Sequence, residues 1–323
     1  MKTTVIIPNY NGIEYLKRCL DSLDRVNSRD FDVIVVDNGS TDGSAAWVRD
    51  MRKEIKLIAL PENTGFAAAV NRGIESTESE YVILLNNDTE VDPGFVDALV
   101  NAIESDERIF SVNSKMVTMQ DSSIIDGAGD YYCALGWAYA YGKGRNANES
   151  CVKRKEIFSA CAGAAIYRRE LLVKVGMFDE AHFAYLEDVD VGYRARIEGY
   201  KNIYEPSAIC IHAGSGSSGS RYNEFKINLS SRNSVYIIWK NMMLLQIIIN
   251  LPFLLVGFLV KTLFFALKGY GITYVRGLGR GVKLCFSKEC KHKKIRFKWR
   301  NLGHIVLIQL ELWLNILRRL CFF

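Results

Sequence analysis

The sequence predicts an α/β domain on a mostly parallel sheet, followed by a helical tail that associates with a membrane. Three observations carry this. Short β-branched runs alternate with helical patterns over the first 120 residues, the signature of a parallel α/β sheet. The clearest of those runs is apolar throughout, which suits strands buried on both faces. Composition then changes near Tyr236: Tyr236–Phe323 holds fifteen Lys/Arg against two acids, a net +13, whereas Met1–Val235 holds 26 against 34, a net −8. The boundary is placed there, giving units 1–235 and 236–323.

Val5–Pro8 reads as the first strand, closed by Asn9-Tyr10-Asn11-Gly12, and Ile13–Leu23 as an amphipathic helix. Val33–Asp37 is the second strand, Thr41–Lys53 a helix, Lys56–Ala59 the third strand and Phe66–Glu75 a helix. Tyr81–Leu85 is a fourth strand running into Asn86-Asn87-Asp88. Gln120–Glu156, rich in Gly, Tyr and Asn, reads as a hairpin or loop over the site. Phe158–Tyr167 reads as one apolar strand, Arg169–Val175 and Val189–Glu198 as helices, and Ile209–His212 as the last ordered strand.

Eight scattered cysteines without a CxxC pair suit a reduced, intracellular protein more than a disulfide scaffold. The apolar run Thr3–Pro8 is too short for a signal peptide. Glycosylation sequons begin at Asn38 and Asn87, inside the segments assigned below to the site, and a glycan there would block it.

In open parallel sheets, ligands bind at the carboxyl ends of the strands. Asn9–Asn11, Asp37-Asn38 and Asn86–Asp88 all fall at such ends. Any one of them is an ordinary turn former; three on one edge define a candidate site.

Five segments, VIIPNYNG, VVDNGSTDGS, ENTGFAAAVNRGI, LLNNDT and GMFDEAHFAYLEDVDVGYRAR, match in order and spacing the family 2 inverting glycosyltransferases of the GT-A fold. Over roughly residues 3–235 the chain resembles their bacterial rhamnosyltransferase-like members. The resemblance implies a nucleotide-diphospho-sugar donor, possibly dTDP-rhamnose. Residues matching Pro8, Tyr10 and Asp37 would hold base and ribose, and those matching Gly65 and Asn71 would shape the pocket beside the diphosphate. Asn38 and Asn87, from their strand-end positions, complete the donor set.

The chemistry of such a donor fits these residue types. Tyr10 offers a plane for the base, Asp37 an acceptor for ribose or base donors, and Asp88 a carboxylate for a hard divalent ion, Mg²⁺ or Mn²⁺. The family pattern at this point is Asp-x-Asp; Asn86 replaces its first carboxylate, an amide oxygen being the weaker ligand. His212 matches the late histidine that completes the metal site in many GT-A enzymes; it reads equally as an ordinary histidine at a strand end. The run Ala213–Ser220 reads either as a phosphate cradle or as a hinge.

Glu187-Asp188-Val189-Asp190 opens a helix. Acids suit a helix N-terminus, but three carboxylates in four residues repel one another, which raises at least one pKa and suits a general base. The resemblance puts that role on Asp188, with Glu187 beside it. The reaction implied is a single displacement: the acceptor hydroxyl loses its proton to Asp188 and attacks the anomeric carbon, which inverts.

Met242–Val260 is nineteen uncharged residues, just long enough to span a bilayer, but interrupted by Gln246, Asn250, Pro252 and Gly257. Ile305–Leu317 brings Glu311, Asn315 and Arg318 onto one face, the pattern of a helix lying in the interface. Lys283–Arg300 holds eight basic residues. The tail therefore reads as interfacial or re-entrant, with a true span and helices docked on the body as alternatives. Nucleic acid is not an expected partner, because apolar helices would have no role in binding it. These readings place the protein on the cytoplasmic face of a bacterial or archaeal membrane, with a lipid-linked or growing glycan as acceptor. A chain cut near Val235 is expected to keep nucleotide binding and lose the membrane. Direct transfer to polyprenyl phosphate, and a non-catalytic nucleotide-sugar-binding subunit, are the competing functions.

Overall fold

The computed structural model of the chain describes residues 2–28, 30–214 and 222–321. Four strands and three helices alternate first: β1 (Thr3–Asn9), α1 (Ile13–Leu23), β2 (Phe31–Asp37), α2 (Ser44–Met51), β3 (Lys56–Ala59), α3 (Phe66–Glu75) and β4 (Tyr81–Leu85). These strands lie parallel in the order β4-β1-β2-β3. Their side chains alternate between two buried layers. Val5, Ile7, Val35 and Ile83 pack with Leu16, Leu20 and Leu99, while Ile6, Val36, Val82 and Leu84 pack with Val70 and Ile74. That two-sided burial is why the strands read as apolar runs.

The sheet then grows the other way. β5 (Thr89–Val91), α4 (Phe95–Glu104), β6 (Ile109–Thr118), β7 (Ile125–Gly127), the hairpin β8 (Asp130–Cys133) and β9 (Trp137–Ala140), β10 (Lys155–Ile157), β11 (Ala164–Arg168), α5 (Arg169–Lys174), α6 (Glu187–Ile197) and β12 (Lys201–His212) follow. The full order is β10-β12-β6-β11-β4-β1-β2-β3, with β5 added to β12 and β7 to β6. β11 runs antiparallel between β4 and β6.

Two strands differ from the sequence expectation. The Phe158–Tyr167 run is not one strand: β10 ends at Ile157 and β11 begins at Ala164. Between them the chain crosses the sheet end, where the amides of Phe158 and Ser159 both donate to the Asp130 carbonyl and that of Cys161 donates to Asn113 Oδ1. The last strand begins at Lys201 rather than Ile209. Pro206 has no N–H to give, and the β6–β12 register slips between Glu205 and Ile209, which hides the pattern.

The tail comprises α7 (Glu224–Asn241), α8 (Leu244–Leu267), α9 (Gly271–Cys285) and α10 (Leu302–Cys321). α7 runs without a break through Val235–Tyr236, so the change in composition falls inside a helix. The polar face of α10 does not meet solvent as the interfacial pattern implied. Glu311 pairs with Arg196 of α6, and the fully buried Asn315 donates to the Tyr132 carbonyl at 2.8 Å and accepts, through its own carbonyl, from the Tyr139 hydroxyl at 2.7 Å. Leu307, Leu310, Leu314, Leu317 and Leu320 are among the exposed residues of that helix. Much of the basic segment is also engaged: Lys293 with Asp179, Lys298 and Arg300 with Glu198.

Candidate active site

Three groups of polar residues gather at the carboxyl ends of the strands. In the first, β1 and β2 end in register, Asn9 opposite Asp37. Asn87 Nδ2 donates to Asn9 Oδ1 at 2.7 Å and Asn9 Nδ2 to Asp37 Oδ1 at 3.0 Å, while the Ser40 amide donates to Asp37 Oδ2 at 3.0 Å. Asp37 is thereby buried and oriented, and its charge is partly satisfied. Pro8 lies beyond Ile6, the last residue of β1 paired with β4, so its missing N–H breaks no ladder on that side. Tyr10 is 44% exposed at the rim, where a planar ligand can reach its ring.

Asn38 and Asn71 serve the frame. Asn38 accepts from the Thr64 amide at 2.9 Å and donates to the Gly65 carbonyl at 3.1 Å. Asn71 donates to the Phe178 carbonyl at 2.8 Å and accepts from its amide at 3.2 Å. Gly65 has φ +89°, and a Cβ there would lie 2.6 Å from the Phe183 carbonyl oxygen. Only glycine lets this loop and the Phe183 turn close on each other.

The second group is Asp88 with His212. β5 pairs with the end of β12, His212 opposite Thr89, and this sets His212 Nε2 3.4 Å from Asp88 Oδ1. The other ring nitrogen, Nδ1, lies 2.7 Å from Asp126 Oδ2 on β7, and Lys143 pairs with the same Asp126. Burial disfavours an imidazolium here, but the hydrogen bonds to Asp126 and Asp88 outweigh it and push His212 up to about 9. A buried carboxylate, an imidazole at ligand spacing from it, and a second carboxylate fixing the ring form a donor set that fits a divalent cation. The flanking run 215–220 lies outside the described residues.

The third group surrounds α6. Asp188 and Glu187 stand at its start, and the carboxylates of Asp188 and Asp130 lie with the Cys161 sulfur within 4.8 Å of one another. Burial raises Asp188 above the usual carboxylate range against hydrogen bonds from the Val189 and Ala162 amides. Burial and the neighbouring Asp188 raise Glu187 and Asp130 further. Glu187 Oε2 is buried without a hydrogen-bond partner among the described residues, whereas Asp188 retains partial exposure. A proton acceptor needs access as well as basicity, which favours Asp188.

Asp190, the third acid of the motif, is occupied. Although buried, it is held well below its usual range by Arg194 and Lys240, and its carboxylate receives Arg194 Nη2 at 2.8 Å, Lys240 Nζ at 2.9 Å and Asn241 Nδ2 at 2.9 Å. Asp179 takes Lys240 Nζ at 2.7 Å, Lys293 Nζ at 2.6 Å and the Tyr236 hydroxyl at 2.7 Å.

The turn delivering Glu187 is strained. Phe183, Tyr185 and Leu186 have φ of 61°, 69° and 69°, each costing about 1–3 kcal/mol for a residue with a side chain. Helix α7 holds the turn: Asn233 Nδ2 donates to the carbonyls of His182 at 2.9 Å and Tyr185 at 2.7 Å, and Arg232 donates to those of Ala181 and His182.

Sequence reasoning missed Asp130, Asp126 and Lys240. Asp130 and Asp126 sit in the segment read only as a cover for the site, and Lys240 beyond the boundary. Folding favours the protonated forms of Asp130, Glu187 and Asp188, each raised above its unfolded value. The stability they contribute is complete below the unfolded values and is lost as pH rises through the folded ones. Asp130→Asn removes one such ionisation. Its thermal midpoint should exceed the parent's at neutral pH and converge with it on acidification; equal midpoints at neutral pH would show the Asp130 carboxylate to be compensated in the fold.

Fold and site together define a GT-A glycosyltransferase. Residues 4–176, more than half of the chain, match the family model described as glycosyl transferase family 2, and the chain belongs to that family. It is 29% identical over 241 residues to an N-acetylglucosaminyl-diphospho-decaprenol L-rhamnosyltransferase of Mycobacterium tuberculosis, over 67% of this chain and 77% of the relative. Its fold is similar to that of Staphylococcus aureus TarS 1-349, with a TM-score of 0.58 and 19% identity over 88% of this chain and 81% of that one. It is also similar to the mannosyltransferase PcManGT of Pyrobaculum calidifontis in complex with GDP-Man and Mn²⁺, with a TM-score of 0.53 and 18% identity over 89% and 88% of the two chains.

Proposed function

We propose that this enzyme moves a sugar from a nucleotide-diphospho-sugar to a hydroxyl of a lipid-linked glycan, at the cytoplasmic face of a bacterial membrane and with inversion. The observation that carries the reading is the meeting of Asp88 with His212 on the same sheet edge as the Asn9–Asp37 pair. Tyr10 stacks on the base, Asp37 accepts from ribose or base donors, and Asn87 keeps Asn9 and Asp37 oriented. Asp88 and His212 would hold the divalent cation, Mg²⁺ or Mn²⁺, which when bound supplies positive charge opposite the leaving diphosphate. Asp188 takes the proton of the acceptor hydroxyl. Asp126 fixes the His212 ring so that Nε2 faces the diphosphate side.

Rhamnose as the donor sugar is suggested by the Mycobacterium tuberculosis relative, and so is a diphospholipid-linked acceptor; dTDP as the carrier rests on the motif resemblance alone. The hairpin supports the lipid anchor independently. Asp130 opens it beside Asp188, and its tip meets the apolar tail helices: the Ala134 amide donates to the Leu312 carbonyl at 3.0 Å and Trp137 Nε1 to the Gly257 carbonyl at 3.1 Å. Asp130 to Cys133 is three residue steps, about 10 Å of strand. An acceptor whose lipid lies along the tail can therefore present a sugar hydroxyl to Asp188.

Activity is expected to need Mg²⁺ or Mn²⁺. Asp88→Ala should weaken donor binding and rate together, and chelation should inactivate reversibly. Full turnover after exhaustive chelation would remove Asp88 and His212 from a metal role.

A further inference from the structure

α8 is the one helix among the described residues long and apolar enough to cross a membrane: 24 residues, with a mean hydropathy of 2.2 in its most apolar stretch. Its polar residues are not scattered. Gln246, Asn250, Leu254 and Gly257 are its buried positions, and Lys261 continues the same stripe with its Nζ 5.6 Å from the centre of the Trp137 ring. The stripe is docked along its length. Asn250 and Gln309 of α10 exchange two amide hydrogen bonds, both 2.9 Å, Trp313 Nε1 donates to Asn250 Oδ1 at 2.9 Å, and Gln246 reaches Gln309 at 3.3 Å. At Gly257 the hairpin tip comes so close that a Cβ would stand 2.2 Å from the Leu135 carbonyl oxygen.

The other face of α8 is bare. Leu244, Leu245, Ile248, Leu255, Val256, Leu259 and Leu263 are each about half exposed or more, and the bare leucines of α10 lie on the helix docked against it. α9, packed beside α8, carries the exposed basic residues Arg276, Arg280 and Lys283.

From Gln246 to Lys261 the docked stripe covers about 22 Å at 1.5 Å per residue, most of the ~30 Å depth of a bilayer core. A helix crossing that core would have to take its docking partners with it. Those partners are the tip of the hairpin and α10, whose Glu311 pairs with Arg196, and that pair would then be drawn toward hydrocarbon at several kcal/mol per ion. We infer that α8 and α10 lie flat in one leaflet, apolar faces down and docked stripe up, so that the body rides on an anionic membrane surface without any crossing by α8. This rests on the membrane reading above and fixes its geometry: Asp188 is held at a constant height by the hairpin and meets acceptors whose lipid diphosphate lies at the headgroup level. The partner is the anionic leaflet itself, because a bare apolar face beside a basic helix matches acyl chains beneath phosphate headgroups.

The test uses the full chain bound to vesicles of phosphatidylcholine with phosphatidylglycerol. Leu245→Cys, Leu255→Cys and Leu263→Cys each receive an environment-sensitive fluorophore, and quenching is read with lipids brominated near the headgroup or near the chain end. Flat seating predicts equal quenching at the three positions, strong from the shallow bromines and weak from the deep ones. Deep quenching at Leu255 with shallow quenching at the two ends would mean a span and overturn the inference while leaving membrane association intact. Failure to float with either neutral or anionic vesicles, or a stable lipid-free dimer that ignores them, would overturn both.

Discussion

Asp188→Asn should lower transfer about a hundredfold or more while donor binding stays within a few fold. Asparagine preserves the volume of the side chain and the oxygen that accepts from the Val189 amide at 2.7 Å, so the helix start and the strained turn before it should persist. What is lost is the capacity to take a proton. The donor-side residues, Tyr10, Asp37 and Asp88, lie on other elements and are not touched. The pH profile of the parent supplies a second readout. Burial holds Asp188 above the usual carboxylate range, so activity should rise with pH through a value higher than an ordinary aspartate's. Turnover within tenfold of the parent would move the base role to Glu187. Asp190 is no alternative, because Arg194, Lys240 and Asn241 occupy its oxygens.

The second large effect is on folding. Lys240→Met should destabilise the chain by about 3–5 kcal/mol, the cost of removing one partner from a buried ion network. Lys240 is 4% exposed and bridges Asp179 and Asp190; without it two buried carboxylates share one fewer cation. Arg194 and Lys293 remain but do not replace it, since each of them reaches only one of the pair. Denaturant midpoints of parent and variant measure the difference, and an unchanged midpoint would mean the network contributes nothing net. The same network revises the expectation for a chain cut near Val235. Tyr236, Lys240, Asn241 and Lys293 all lie past that cut, so the shortened chain should misfold around Asp179 and Asp190 instead of keeping nucleotide binding.

That revision shows what was and was not legible in the sequence. β1 and β4 announce themselves because their burial is nearly uniform: apolar strands, then turn residues at the ligand edge. β6 does not. Its sequence Ile109–Thr118 contains Ser111, Asn113, Ser114 and Lys115, all buried, each satisfied by a partner far away in sequence: Asn202, Cys161, Ala164 and Ala147. A buried polar ladder has the composition of a loop, and only the tertiary partners reveal the strand. α7 was hidden for a related reason. Its Arg232, Asn233 and Lys240 look like a solvated face, but they hold the strained turn before α6 and the buried acids beside it.

The site was legible where it followed strand ends. Asp37, Asp88 and the Glu187-Asp188 pair could be named because each closes or opens an element of clear type. Asp130 and Asp126 could not, since their importance comes from a hairpin that folds back over the sheet and brings them beside Asp188 and His212. For the tail, the helical spacing of Glu311 and Asn315 was readable, but its meaning was inverted: that face is glued to the body and the leucine face is left bare.

The most direct test of the account is acceptor-dependent release of nucleoside diphosphate by the full-length enzyme in lipid vesicles, across a panel of nucleotide sugars, with Asp188→Asn run alongside. The account predicts that one donor class is consumed only when a lipid-linked saccharide and a divalent cation are present, that the new linkage is inverted relative to the donor, and that Asp188→Asn abolishes release. No consumption of any donor under those conditions, a retained configuration, or release that is indifferent to Asp188 would contradict it.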